Sequence, residues 1–161
     1  MKAWNSYTEV EKYLKDLAGK YKGGLSVIPV SMAKGVVPFN SVAEDKFPVV
    51  MLSEITGSQT VSEDYASRGL NYLRQKNVIS LFVFVKTKGN WEEENTLWDK
   101  SNGIAKDLIA KILQDTQDEE GVWIDGAQTM NVEVSPTIIG TKIDLNVTNE
   151  LIELDQEHWS E

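Results

Sequence analysis

Three consecutive glutamates between two tryptophans, in NWEEENTLWDK at residues 90–100, form the stretch of this sequence that looks most like chemistry. Carboxylates beside aromatic rings could serve as a general acid and base. Glycosidases, however, face two carboxylates across a cleft and take them from separate elements, so three adjacent acids fit that geometry badly. A helix start explains them better. Asn90 is a preferred cap residue and Glu93 stands three positions on, close to a capping box. Glu92, Glu93 and Glu94 then occupy a first turn, where unpaired N–H groups and the helix dipole favour each well-placed acid by about 0.3–1 kcal/mol. Trp91, Trp98, Ala105 and Ile112 recur every seven residues, which assigns Trp98 to the core and lets Trp91 cover the helix beginning.

Other candidate groups fail on spacing. Asp115, Asp118, Glu119, Glu120 and Asp125 in QDTQDEEGVWIDG have the composition of a calcium loop. With Asp115 as first ligand, the sixth position is Glu120, where glycine is needed, and the twelfth is Gly126, which cannot be the bidentate acid. The segment reads as an exposed acidic loop. GKYKGG lacks the spacing of a P-loop and follows a helix instead of a strand. His158 is the one histidine, so a catalytic triad or histidine metal site would have to be built around it alone. Cysteine is absent, which excludes disulfides, thiolate metal sites and cysteine nucleophiles. No catalytic, cofactor-binding or metal-binding residue is expected, and a structural or binding protein is the better default than an enzyme.

The elements around these residues are read from periodicity. Tyr7, Val10, Tyr13, Leu14, Leu17 and Tyr21 recur at helical spacing behind Ser6, a cap with Glu9 three positions later, and Gly23 and Gly24 end that helix. LSVIPVS and FPVVML read as edge strands or strand beginnings because Pro29 and Pro48 cannot donate to a ladder. MAKGVVPFNSVAEDK between them reads as a loop or irregular hairpin. Residues 53–77 hold neither period for long, and an extended hairpin or mobile arm suits them. VISLFVFVK, residues 78–86, is the clearest strand; apolar on both faces, it belongs in the middle of a sheet covered on each side. A helix of some six turns follows over about 90–114, with its stripe at Leu97, Trp98, Ile104, Ala105, Leu108, Ile109, Ile112 and Leu113. MNVEV and IGTKIDLNVT alternate, and in the second Ile139, Thr141, Ile143, Leu145 and Val147 share the packed face, as expected of consecutive antiparallel strands. The fold class expected is a single α+β domain, residues 1–161: a mixed, mostly antiparallel sheet with an N-terminal helix and one long helix packed on it, and an acidic tail at 149–161.

A chain of 161 residues with 41% hydrophobic side chains is long enough for one ordinary core. Its net charge of -9 argues against a nonspecific grip on nucleic acid, which needs lysine and arginine to replace counterions. MKAWNSYTEVEKYLKDLAGK lacks the apolar core of a signal peptide, and no apolar run approaches the ~20 residues of a membrane span, so no membrane contact and an aqueous, reducing compartment are expected. The sequon at Asn146, Val147 and Thr148 reads as chance.

The order of a first helix, FPVVML, an uncertain hairpin, SLFVFVK, a long helix through LIAKIL and closing strands ending in IIGTKIDLNVT resembles the tail terminator and tail-completion (head-tail joining) proteins of tailed bacteriophages over residues 47–148. The resemblance is one of pattern and length. It implies a non-enzymatic virion component, assembled in the bacterial host cytoplasm. Its subunits would form a homo-oligomeric ring, six-fold, that terminates the tail tube and joins it to the neck and connector proteins. DNA would pass through the lumen without specific binding, and a negatively charged lumen would assist that passage. The first alternative is an acidic single-domain binder, such as an immunity protein or a DNA-mimic inhibitor, acting on a basic partner. The second is an enzyme using only carboxylates, which a deep apolar pocket lined by buried acids would promote.

Overall fold

Ser6 caps the first helix as its type predicts: its hydroxyl accepts the Glu9 N–H at 3.3 Å, and α1 then runs Tyr7–Lys20. The computed structural model describes residues 4, 6–28, 42, 44–61, 73–87 and 91–151, with the backbone alone for 44, 59–61, 73, 91, 92 and 151. The strands are β1 (Ser26–Ile28), β2 (Val49–Val61) and β3 (Leu73–Lys86), then, after the long helix α2 (Trp91–Thr116), β4 (Val122–Ser135) and β5 (Ile138–Leu151). They form one five-stranded sheet in the order β1-β2-β3-β5-β4, antiparallel except for the β1–β2 pair.

That parallel pair excludes the irregular hairpin, one of the two readings of the segment between FPVVML and the strand before it. Ser26 lies opposite Val49 and Ile28 opposite Met51, running the same way, so the connection is a crossover and not a hairpin. Most of it, residues 29–41 and 43, lies outside the described residues. The 53–77 stretch is strand at both ends: β2 and β3 pair from Val49 opposite Phe84 to Val61 opposite Leu73, with an irregularity between Leu52 and Glu54. Its middle, 62–72, lies outside the described residues, as does the tail beyond Leu151.

The central strand β3 is flanked by β2 and β5, and the two faces of the sheet are packed differently. On one face Val50, Leu52, Ile79, Leu81, Val83, Ile143, Leu145 and Val147 meet Val10, Leu14 and Leu17 of α1 and Ile104, Ala105, Leu108 and Ile112 of α2 in one core. Burial of this kind stabilises by about 25 cal/mol per Å² of apolar surface removed from water, which makes the helix face the main source of stability. Hydroxyl bonds from Tyr13 to Asp115 at 2.8 Å and from Tyr21 to Asp107 at 3.1 Å join the two helices, and the opposed numbering makes them antiparallel. Among the described residues the other face is packed at one end only, where Ile28, Val49, Met51, Phe84 and Ile138 are buried and Phe82 stacks on Phe84 with ring centroids 5.2 Å apart.

α2 lies close to the range its stripe foretells, but from Glu93 to Lys100 no side chain is buried. Trp98 is half-buried, not core, a correction to the seven-residue pattern; among the described side chains of α2 the first fully buried one is Ser101. Ser101 meets Thr141 at 2.9 Å, and Thr141 donates to Asn102 Oδ1 at 2.7 Å. Thr141→Val therefore strips a buried polar junction between α2 and β5, with an expected loss of about 1–2 kcal/mol read as a lowered denaturation midpoint.

Asp115 gives the fold a pH dependence. Its ion pair with Lys111, Nζ–Oδ1 2.7 Å, holds its carboxyl below the usual aspartate value, assisted by the Tyr13 hydroxyl and opposed by partial burial. Burial and then the Asp115 bond push the Tyr13 hydroxyl up. A depressed carboxyl contributes stability that is present above the unfolded value, about 4, and lost as pH falls through the folded one. Asp115→Asn keeps an acceptor for Tyr13 and should flatten the acid limb of a urea-midpoint profile taken from about pH 6 down to about pH 3.

Candidate functional site

The acids singled out by type are dispersed. Glu93 is exposed and Glu94 half-exposed in the first turn of α2, as a helix start requires; Asn90 lies outside the described residues. Asp115 sits in the last turns of α2, tied to Lys111 and Tyr13. Asp125 is not in a loop: β4 already begins at Val122, which corrects the reading of QDTQDEEGVWIDG as one exposed acidic loop. Asp125 falls at a β-bulge between Ile124 and Gly126 and accepts from the Thr148 hydroxyl. Only 117–121 connects α2 to β4, and Gly121, at φ 73°, turns the chain there in a conformation that favours glycine. His158 lies outside the described residues. Among those described, no three His, Cys, Asp or Glu side chains gather as a metal site, and no helix is long and apolar enough to cross a membrane.

The sheet's helix-free face offers an open trough instead. It measures about 520 Å³ and crosses four strands, from Thr56 and Ser58 of β2 through Lys76 and Val78 of β3 and Asn146 of β5 to Asp125 of β4. Beside it Arg74 lies over the Trp123 ring, 5.8 Å from its centroid. Farther along, Ser80 donates to Asp144 at 2.6 Å and Lys142 lies 3.5 Å from the same carboxylate. The strand register puts Arg74, Lys76, Lys86 and Lys142 on this face together with Glu54, Asp144 and Glu150. It is balanced in sign. Exposed acids stand instead along α2 and the turn after it, at Asp99, Asp107, Asp118 and Glu120.

The margins of the sheet are sparsely covered among the described residues. β4 pairs only with β5 among the described residues, and Ala127–Asn131 is exposed on both faces of the strand. Met130 is 56% and Val134 49% exposed, and Trp123 is 45% exposed, which leaves large apolar side chains half bare on an outer strand. β1 reaches only as far as Met51 of β2, so the remainder of β2 has no neighbouring strand on that side among the described residues; Thr56, Gly57 and Ser58 are exposed. Sequence reasoning placed MNVEV in a strand but missed the start of β4 and its outer position. The available signal was VWIDGAQTMNV, a long run with few charges between acidic segments.

The chain was compared with protein-family models and with curated proteins, and neither comparison gave a match.

Proposed function

We propose that the chain is a non-enzymatic structural subunit that self-associates into a closed ring, of the kind that terminates a phage tail tube and joins it to the neck. The observation that carries the reading is β4, a fourteen-residue outer strand, bare on both faces over Ala127–Asn131. Long exposed edges are templates for pairing with another chain, and monomeric proteins blunt them with lysine, proline or cover. β4 carries neither lysine nor proline, and its two bulges, at Ile124/Gly126 and Glu133/Ser135, flank the bare stretch rather than interrupt it. The element order adds support: helix, strand, long hairpin, central strand, long helix and closing hairpin is the order on which the resemblance to tail terminators rests. The candidate acids, dispersed over separate surfaces, favour assembly over catalysis.

A ring with its helices outward would turn the helix-free face to the lumen. That face is balanced in charge rather than acidic, which replaces the negatively charged lumen expected from net charge alone. Passing DNA would still find no cluster of unopposed cations to displace its counterions. Negative-stain images of the concentrated protein test the reading. Annular particles with a central opening are the expected result; single particles of monomer size that bind a basic protein one to one would instead favour the acidic binder.

A further inference from the structure

We infer that the outer edge of β4 in one copy pairs, antiparallel, with the distal edge of β2 in the next copy, making one continuous sheet through the assembly. The inference rests on the self-association proposed above and names the surfaces that carry it.

Three observations converge on these two edges. The first is exposure. Ala127–Asn131 of β4 and Thr56, Gly57 and Ser58 of β2 are exposed on both faces, so a strand laid beside either meets no covering layer among the described residues. The Ile55 N–H already points off the outer edge of β2, where it donates to the Tyr7 hydroxyl at 2.9 Å. Backbone groups alternate along a strand, so those of Gly57, Gln59 and Val61 face the same way.

The second observation is charge. The chain as a whole carries -9, so two copies meeting at random surfaces repel each other. Residues 126–132, GAQTMNV, and 56–61, TGSQTV, contain no charged side chain. They are matched places where two acidic molecules can touch along a strand without opposing like charges.

The third is direction. β2 opposes β3, β3 opposes β5 and β5 opposes β4, so β4 runs antiparallel to β2 within one chain. Rotation about an axis running with the sheet's strands preserves strand sense, so β4 of one copy meets β2 of the next antiparallel. Each copy offers one of each edge. Such a heterologous contact repeats around a ring and closes if the rotation does.

The native chain has no cysteine, so disulfide trapping reads the contact directly. Ser58 lies opposite Lys76 on the helix-free face, Gln128 and Met130 lie opposite Asp144 and Lys142 on the same face, and Thr129 lies opposite Ile143 on the helix face. Purified Ser58→Cys is mixed in turn with Gln128→Cys, Met130→Cys or Thr129→Cys, oxidised and run without reductant. A disulfide needs Cα atoms within about 7 Å, so only adjacent strands with side chains on one face can form it. The expected result is a band at about twice 18.1 kDa with Gln128→Cys or Met130→Cys, and none with Thr129→Cys. No band in any mixture overturns the pairing, and so does a disulfide dimer formed by Met130→Cys alone, which would mean that β4 pairs with itself. Annular particles without the cross-link would leave the ring standing and remove these edges from it; cross-linked open chains without annular particles would support the edges and remove the ring.

Discussion

Gly140→Ala is expected to cost about 3 kcal/mol or more, seen as a fall in the denaturant midpoint with little change in slope. A Cβ at this position would stand 2.0 Å from the carbonyl oxygen of Val83, 2.9 Å from its carbon and 2.7 Å from Cδ1 of Phe84. The first two are backbone atoms of β3, the central strand, and the third belongs to a buried ring stacked on Phe82. None can give way without moving the β3–β5 ladder. Against a total stability of about 5–15 kcal/mol for a domain, that loss would leave a chain that melts far below the native one. Gly126→Ala is the matched control in β4. An added Cβ there meets nothing within 4 Å, so the change should stay within about 0.5 kcal/mol of neutral.

Trp4→Ala should be comparably severe, about 3–5 kcal/mol, the usual cost of emptying a large aromatic site. Trp4 is 1% exposed, packs edge-on against Tyr13 at 5.6 Å and 68°, and its carbonyl accepts from Asn77 Nδ2 at 3.4 Å. It thereby anchors the chain ahead of α1 to β3. The indole N–H of Trp4 has no hydrogen-bond partner among the described residues. Trp4→Phe therefore sacrifices volume without breaking a bond, and should lose under about 1.5 kcal/mol. Equilibrium unfolding of both variants in urea separates the two outcomes. Equal losses would mean that the indole N–H, and not ring packing, holds the site together.

Local periodicity made part of this fold legible. Ser6 with the stripe of α1, the apolar faces of VISLFVFVK and the alternation from Ile139 to Val147 each declare a packed face within a few residues. β3 takes its expected central place, although among the described residues its second face is packed only near Phe82 and Phe84 and not along its length. The rest depended on distance or on the lack of a face. Trp4 precedes its helix and so falls outside any period, although it is among the most buried side chains. Distal β2, with TGSQT, is exposed where its side chains are described, and a strand with nothing packed on it has no alternation to read. The β1–β2 pairing joins segments across a crossover, which no short window contains. Trp98 follows a core spacing but is only half-buried, because a seven-residue pattern cannot say where the partner layer ends.

The candidate surface was hidden for the same reason. Acidic residues before Val122 drew QDTQDEEGVWIDG into one loop, although Trp123 and Ile124 already belong to β4. Strand positions can be read from a sequence; which strand is outermost depends on pairing order. Met130 and Val134 acquire meaning only once β5, and no other described strand, lies beside them.

Light scattering of the native protein over a wide concentration series bears most directly on whether this molecule is built to join copies of itself. Self-association through unpaired edges requires the mass to climb from 18.1 kDa to a plateau at a whole multiple of that value, as a closed ring does and an open chain does not. A single species of 18.1 kDa at every concentration would contradict it.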